Sequence, residues 1–134
     1  MIGSNLLRNE KGQSLVELAL ILPVLVLLLF GTVEFGRTFY SYITVTGAVR
    51  EGVREAAVGK NDTEIEARVR EALTLPQGAS EVHSITITPS EGSRITGVPV
   101  TVELRYDMPL VTPLLNTFLP NPVPLTASAT MRRE

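Results

Sequence analysis

The stretch that decides the fold is residues 11–33, KGQSLVELALILPVLVLLLFGTV. Its part from 18 to 33 carries no charged residue, and twelve of these sixteen side chains are Leu, Ile, Val or Phe. As an α-helix this part is about 24 Å long. Residues 13–17 and 34–35 extend it to the roughly 30 Å of a bilayer's hydrocarbon core. The twelve apolar side chains favour insertion by about 4 to 7 kcal/mol. The stretch therefore predicts a membrane-spanning helix.

Two other interpretations of this stretch are a cleaved secretory signal peptide and the core helix of a soluble protein. A signal peptide ends in a site of the A-x-A kind, whereas residues 32–35 read TVEF. A core helix would need a larger partner domain than this chain supplies. The basic residues Arg8 and Lys11 precede the span, so they predict a cytoplasmic N-terminus with most of the chain outside.

Pro23 lies inside the apolar stretch. Proline removes one backbone hydrogen bond and clashes with the preceding turn, so it predicts a kink in the helix. The kink is either tolerated or a functional hinge, and the sequence leaves both open.

Helical periodicity continues beyond the span. A heptad-like stripe, with members alternately four and three residues apart, consists of Phe35, Phe39, Tyr42, Thr46, Val49, Val53 and Ala56. Gly59 follows as a predicted helix C-cap, which gives a rod over 13–58 of about 70 Å. Gly36, Gly47 and Gly52 would weaken an exposed helix. They indicate either close approach of other helices or local looseness.

The remainder of the chain predicts a small α+β head with an antiparallel sheet of about three strands. Its one helix is capped by Asn61 or Asp62, with Thr63 and Glu66 as a variant capping box. The helix presents an apolar stripe of Ile65, Val69 and Leu73.

The three predicted strands follow this short helix. Alternating apolar residues mark Val82–Thr88, Val98–Tyr106 and Val123–Arg132. In the first strand, alternation places His83 on the same face as Ile85 and Ile87. We expect the short helix and the distal half of the rod to cover one face of the sheet.

The segment 107–122 is apolar but is interrupted by four prolines. Thr112 is a candidate cap for a short helix over Pro113–Phe118 that would cover the sheet. Alternatively, the segment is an exposed loop that forms a contact surface or faces the membrane.

Catalysis has little support in this sequence. There is no cysteine, which excludes disulfides and thiolate chemistry, and the single histidine, His83, lies in a predicted strand. No nucleophile triad, metal-ligand cluster or phosphate loop is present in the sequence. The net charge of −2 argues against nucleic-acid binding. We therefore expect neither an enzyme nor a cofactor or metal site.

Glu17 is an unusual residue, because it is an acid at the edge of an apolar span. A charge at the centre of a span costs about 2.5 to 3.5 kcal/mol, and one near the edge costs less. If the chain were cut after Gly12, the new α-amine of Gln13 would lie four residues before Glu17. In a bundle of parallel rods, one subunit's Glu17 could then pair with a neighbour's amine. The alternative is that Glu17 lies in the headgroup region.

Three segments carry a resemblance to a known family. They read GQSLVELALILPVLVLLLFGTVEFGRTFYSY from Gly12, then AVREGVREAA, and PLTASATMRRE at the end. Together they resemble the TadE family of tight-adherence (Flp) pilus proteins. The first also resembles the prepilin-peptidase pattern of a basic lead, Gly, four residues, Glu and a long apolar helix.

The resemblance implies a minor pilin or pseudopilin of a type IVc-like pilus, active in assembly and adhesion. Residues 1–12 would be a cytoplasmic leader with Arg8 and Lys11, removed by a prepilin peptidase between Gly12 and Gln13. Residues 13–59 would form the transmembrane and extended helix, and residues 60–134 the extracytoplasmic head. Glu17 would be the subunit-assembly carboxylate.

The implied partners are the prepilin peptidase, other pilin or pseudopilin subunits, the inner-membrane platform and the lipid bilayer, with no nucleic acid. The implied location is the inner membrane, crossed once, with possible incorporation in an extracellular pilus. Gln13 departs from the family pattern, because classical mature pilins begin with a hydrophobic, N-methylated residue. Two alternatives are an unprocessed, signal-anchored binding protein and a secreted enzyme.

Overall fold

One helix dominates the architecture. The computed structural model describes residues 10–75, 82–113 and 115–134. Helix α1, Glu10–Ala57, has 48 residues and is therefore about 72 Å long. It continues through Pro23, so the apolar stretch and the amphipathic part form one element, as the sequence predicts.

Helix α1 ends at a glycine cap. Gly59 has φ +88°, a left-handed conformation that glycine adopts without the penalty of a Cβ. Its N–H donates to the carbonyl of Ala56 at 3.1 Å, and the N–H of Lys60 donates to that of Glu55 at 3.1 Å. These two bonds form a Schellman motif, so the predicted cap is confirmed.

Helix α2, Asp62–Ala72, begins with a capping box. The side chain of Asn61 accepts from the backbone N–H of Glu64 at 2.9 Å, and Glu64 Oε2 accepts from the N–H of Asn61 at 3.2 Å. The predicted variant box of Thr63 and Glu66 is therefore wrong. Lys60, which donates to Glu64, and the backbone N–H of Asn61 together hold the pKa of Glu64 below its ordinary value.

The sheet has three antiparallel strands in the order β1-β2-β3. They are β1 Val82–Thr88, β2 Pro99–Met108 and β3 Val123–Arg132. The outer two strands have the predicted bounds, while β2 begins one residue later and ends two residues later than predicted. The observed elements confirm the α+β class.

The core lies between the sheet and the distal half of α1. Strand β2 turns Val100, Val102, Leu104, Tyr106 and Met108 inward, and all five are buried. Helix α1 packs on β2 and β3, and α2 packs on α1. The side chains of α2 thus belong to the same core, but α1 is the element that covers the sheet.

The buried face of α1 differs from the predicted stripe. The last three members, Val49, Val53 and Ala56, are buried as expected. Phe35, Phe39 and Tyr42 are exposed, and the buried positions next to them are Glu34, Ser41 and Val45. The face of α1 that is buried at this level therefore carries Glu34, Ser41 and Val45, and the bulky aromatic residues lie outside it.

One further expectation about the head, the facing of His83, is wrong. The register shifts between Val82 and Ser84, so His83 does not share a face with Ile85 and Ile87. It is exposed and its Nδ1 lies 3.0 Å from Asp107 Oδ2. The extra residue of a bulge interrupts the strict alternation on which the expectation rested.

The segment between β2 and β3 does not form a helix that covers the sheet. Among its described residues, which leave out residue 114, the one helical element is a 3₁₀ turn, Leu115–Thr117. Leu110 is buried, whereas Val111 and Phe118 are 66% and 79% exposed. The structure therefore favours the exposed-loop alternative. Thr112 bonds to α1 instead of capping a helix.

Candidate functional site

The apolar half of α1 has no protein covering it among the described residues. Large side chains from Leu15 to Val33 are mostly 40–70% exposed, and Val26 is partly buried. No part of the most apolar window is buried inside the protein. Among the described residues, α1 alone is long and apolar enough to span a membrane. Exposure of such a large apolar surface to water is unfavourable, so we expect lipid or other subunits to cover it.

The predicted processing region lies at the start of this helix. Gly12 and Gln13 fall in the first turns of α1, and Gln13 Nε2 donates to Glu17 Oε1 at 3.4 Å. This places the polar side chain beside the carboxylate, one turn apart on one face. Arg8 lies outside the described residues, and only the backbone of Lys11 is described. Cleavage, the kink at Pro23 and the pairing of Glu17 between subunits stay predictions.

A buried carboxylate marks the outer end of the apolar run. Glu34 is 3% exposed. Its Oε1 accepts from Arg37 Nη1 at 2.8 Å, and its Oε2 accepts from Thr112 Oγ1 at 3.0 Å. Two charge-assisted bonds thus satisfy the carboxylate. One of them joins residues 78 positions apart, so Glu34 ties the β2–β3 loop to α1.

A groove of about 470 Å³ opens beside this carboxylate. Its helix side is formed by Gly31, Glu34, Phe35 and Thr38, which share one face of α1. Its other side is formed by the loop and by the start of β3, with Leu110, Leu115, Leu119, Pro120 and Val123. The lining is almost entirely apolar, so the groove suits hydrocarbon and not a charged ligand.

Comparison with known families finds one match, over the N-terminal part of the chain. Residues 12–54 match the family model described as TadE-like protein. The match runs from the predicted cleavage site, through the apolar run and the Glu34–Arg37 pair, to the last turn of α1. It confirms the resemblance over this TadE-like segment, and the matching family is one of Tad pilus-related proteins. No curated protein and no solved structure matches the chain significantly.

Beyond the TadE-like segment, the head contains a charge pair that the sequence reasoning missed. The side chain of Arg94 is only 2% exposed and bonds to Asp62 Oδ1 through Nη2, while its Nε donates to the carbonyl of Pro89 at 2.8 Å. Asp62 is the first residue of α2, where an acid also favours the helix dipole. The pair therefore fastens the β1–β2 connection to α2. No local pattern predicts it, since the partners are 32 residues apart.

We expect Asp62→Ala to destabilise the head more than Arg94→Met. Loss of Asp62 leaves the buried guanidinium of Arg94 with one carbonyl partner. We expect this to lower the free energy of unfolding by about 2 kcal/mol. That is less than for a fully buried pair, because Asp62 is partly solvated. Arg94→Met removes the buried charge and leaves a carboxylate that water can reach. Denaturant unfolding of the full chain in detergent micelles measures both variants, and a larger loss for Arg94→Met would contradict this reasoning.

Proposed function

We propose that this chain is a minor pilin or pseudopilin of a tight-adherence (Flp, type IVc-like) pilus. In this proposal it crosses the inner membrane once with its N-terminus inside, and a prepilin peptidase cuts it between Gly12 and Gln13. The mature chain then assembles with other pilin or pseudopilin subunits on the inner-membrane platform and takes part in adhesion. The observation that carries the proposal is the uncovered apolar half of the TadE-like segment, which continues without a break into the helix that holds the head.

Chemistry at the start of the helix supports the assembly step. The bond from Gln13 to Glu17 is long at 3.4 Å, against about 2.9 Å for a typical N–H···O bond. A neighbouring subunit's α-ammonium would form a shorter, charge-assisted bond with the same carboxylate. In the low dielectric near lipid, that bond would be stronger than in water. Lipid-facing apolar side chains would hold the subunits parallel.

Co-expression with a prepilin peptidase tests the processing step. We expect mass spectrometry of the purified chain to show a product beginning at Gln13. A bulky residue at the cut should prevent this, so Gly12→Phe should yield the full-length chain. Wild-type protein that keeps its first twelve residues in the presence of active peptidase would contradict the proposal.

The assembly step is tested with two variants of Glu17. We expect Glu17→Ala and Glu17→Gln to be cut normally but to assemble poorly, because neither offers a carboxylate to the α-amine. Glu17→Gln preserves side-chain size and hydrogen bonding, so it separates the effect of charge from that of shape. Co-purification of tagged and untagged copies measures assembly, and normal yields for both variants would remove the pairing step.

The alternative function is an unprocessed, signal-anchored protein that binds an envelope partner. The apolar groove beside Glu34 is the feature that favours it. The mass of the N-terminus separates the two functions, since only the pseudopilin loses the leader.

A further inference from the structure

The loop between β2 and β3 is apolar and uncharged, and most of its described residues are exposed. From Met108 to Met131 the sequence contains no Asp, Glu, Lys, Arg or His. Val111, Phe118 and Leu119 are 66%, 79% and 48% exposed. A single apolar residue on a surface is ordinary, but a patch of large ones marks a contact surface.

The position of this loop along α1 indicates what it contacts. Thr112 bonds to Glu34, and the groove joins the loop to Gly31 and Phe35. Gly31 lies one helical turn inside the apolar run, about 4.5 Å from Glu34 along the axis. The loop therefore lies beside the outer end of the predicted span, where the bilayer surface would be.

The opposite end of the head lies far from this level. The N–H of Glu134 donates to the carbonyl of Ala57 at 3.0 Å, and that of Gly97 donates to the carbonyl of Arg133 at 2.8 Å. Ala57 is 23 residues beyond Glu34, or about 35 Å further along the helix axis. Ile95, which is 66% exposed, belongs to this distal end. The loop and Ile95 are thus both exposed and apolar but lie at very different distances from the span.

We propose that the β2–β3 loop is a second membrane contact, which immerses Val111, Phe118 and Leu119 in the outer leaflet. A lipid acyl chain lies in the groove between the loop and α1. Arg37, which is partly exposed beside Glu34, lies at the headgroup level, where a long cationic side chain reaches lipid phosphate. The proposal rests on the membrane insertion and orientation given above. Lipid is the favoured occupant because the loop is uncharged and continues the surface of the span.

The chain contains no tryptophan, so one introduced tryptophan reports on a single site. The probe is the full-length chain with Phe118→Trp, reconstituted at low protein density in phosphatidylcholine vesicles whose acyl chains carry bromine, a quencher of tryptophan emission. We expect the emission to be blue-shifted and to lose most of its intensity relative to vesicles without bromine. Leu119→Trp places the tryptophan next to position 118, and we expect the same blue shift and the same quenching. Ile95→Trp is the matched control, with similar exposure, and should show neither effect.

The outcomes distinguish this proposal from the proposed function. Resistance to carbonate extraction shows that the span is inserted, and N-terminal mass after peptidase treatment shows whether the leader is cut. Unquenched emission from both loop variants in an inserted chain would overturn the membrane contact and leave the pseudopilin proposal standing. Emission that shifts with protein density but not with bromination would assign the loop to a protein partner and would also overturn it. Strong quenching in a chain that the peptidase does not cut would support the contact and count against processing.

Discussion

Gly52→Val is expected to separate α2 from α1 and to destabilise the head by about 3 kcal/mol, the upper part of the usual range for overpacking. A Cβ placed on Gly52 would lie 2.3 Å from Val69 Cγ2, and 3.6 and 3.7 Å from side-chain atoms of Val102 and Ile65. All three neighbours are fully buried. Because Gly52 lies where α1 packs on both α2 and β2, no neighbour can move without disturbing the core.

Gly47→Ala is the matched control for this prediction. Gly47 lies in the same helix, and a Cβ there would meet nothing within 4 Å. Alanine should therefore raise the stability by up to about 1 kcal/mol through helix propensity alone. Denaturant unfolding of the full chain in micelles, followed by the near-ultraviolet circular dichroism of its tyrosines, measures both variants. Equal effects of the two substitutions would show that the packing of α2 does not depend on Gly52.

Glu34→Ala is expected to release the β2–β3 loop from α1. The substitution removes a 3%-exposed carboxylate and leaves Arg37 and the buried Thr112 hydroxyl without their shared partner. Breaking a buried charged pair costs about 3 to 5 kcal/mol, and we expect the lower value because Arg37 is partly exposed. The loss should be local, since the core of the head lies further along the helix.

Hydrogen exchange of the loop amides is the measurement for Glu34→Ala. We expect faster exchange around Leu110 and Leu115, with little change in β2 near Val102. Thr112→Val is the companion variant, because it keeps the shape of the side chain and removes only one of the two bonds. It should have a smaller effect in the same amides. Loop exchange that stays at the wild-type rate in Glu34→Ala would refute the anchoring role.

Much of the fold could be predicted because its signals are local. Short windows of sequence are enough to predict the apolar run, the alternation of the strands and the left-handed conformation at Gly59. The face of α1 that packs on the head was not predictable in this way. Phe35, Phe39 and Tyr42 have the same four-and-three spacing as Glu34, Thr38 and Ser41, displaced by one residue. Hydrophobicity favours the aromatic set, whereas the structure buries Glu34 and Ser41 and half-buries Thr38.

The candidate site was predictable only in part, for a similar reason. The pattern of Gly12 and Glu17 is local and stands out in the sequence, although its processing is still a proposal. Glu34 becomes informative only when Thr112 folds back onto it across 78 residues. The pair of Arg94 and Asp62 and the bulge at His83 likewise depend on which distant segments meet, and no periodicity encodes that choice.

Helix α1 runs without a break from the predicted span into the core of the head, so the span and the head are mechanically coupled. The helix is continuous between Glu34 and Ala57, so the head cannot rotate independently of the membrane-spanning part. Each residue of an α-helix rotates the chain by about 100° around the helix axis and adds a rise of about 1.5 Å along it. Insertion of a single residue at the bilayer boundary would therefore rotate the head by about 100° around the axis of α1, relative to the span. The number of residues between the span and Glu34 thus sets the direction in which the head points.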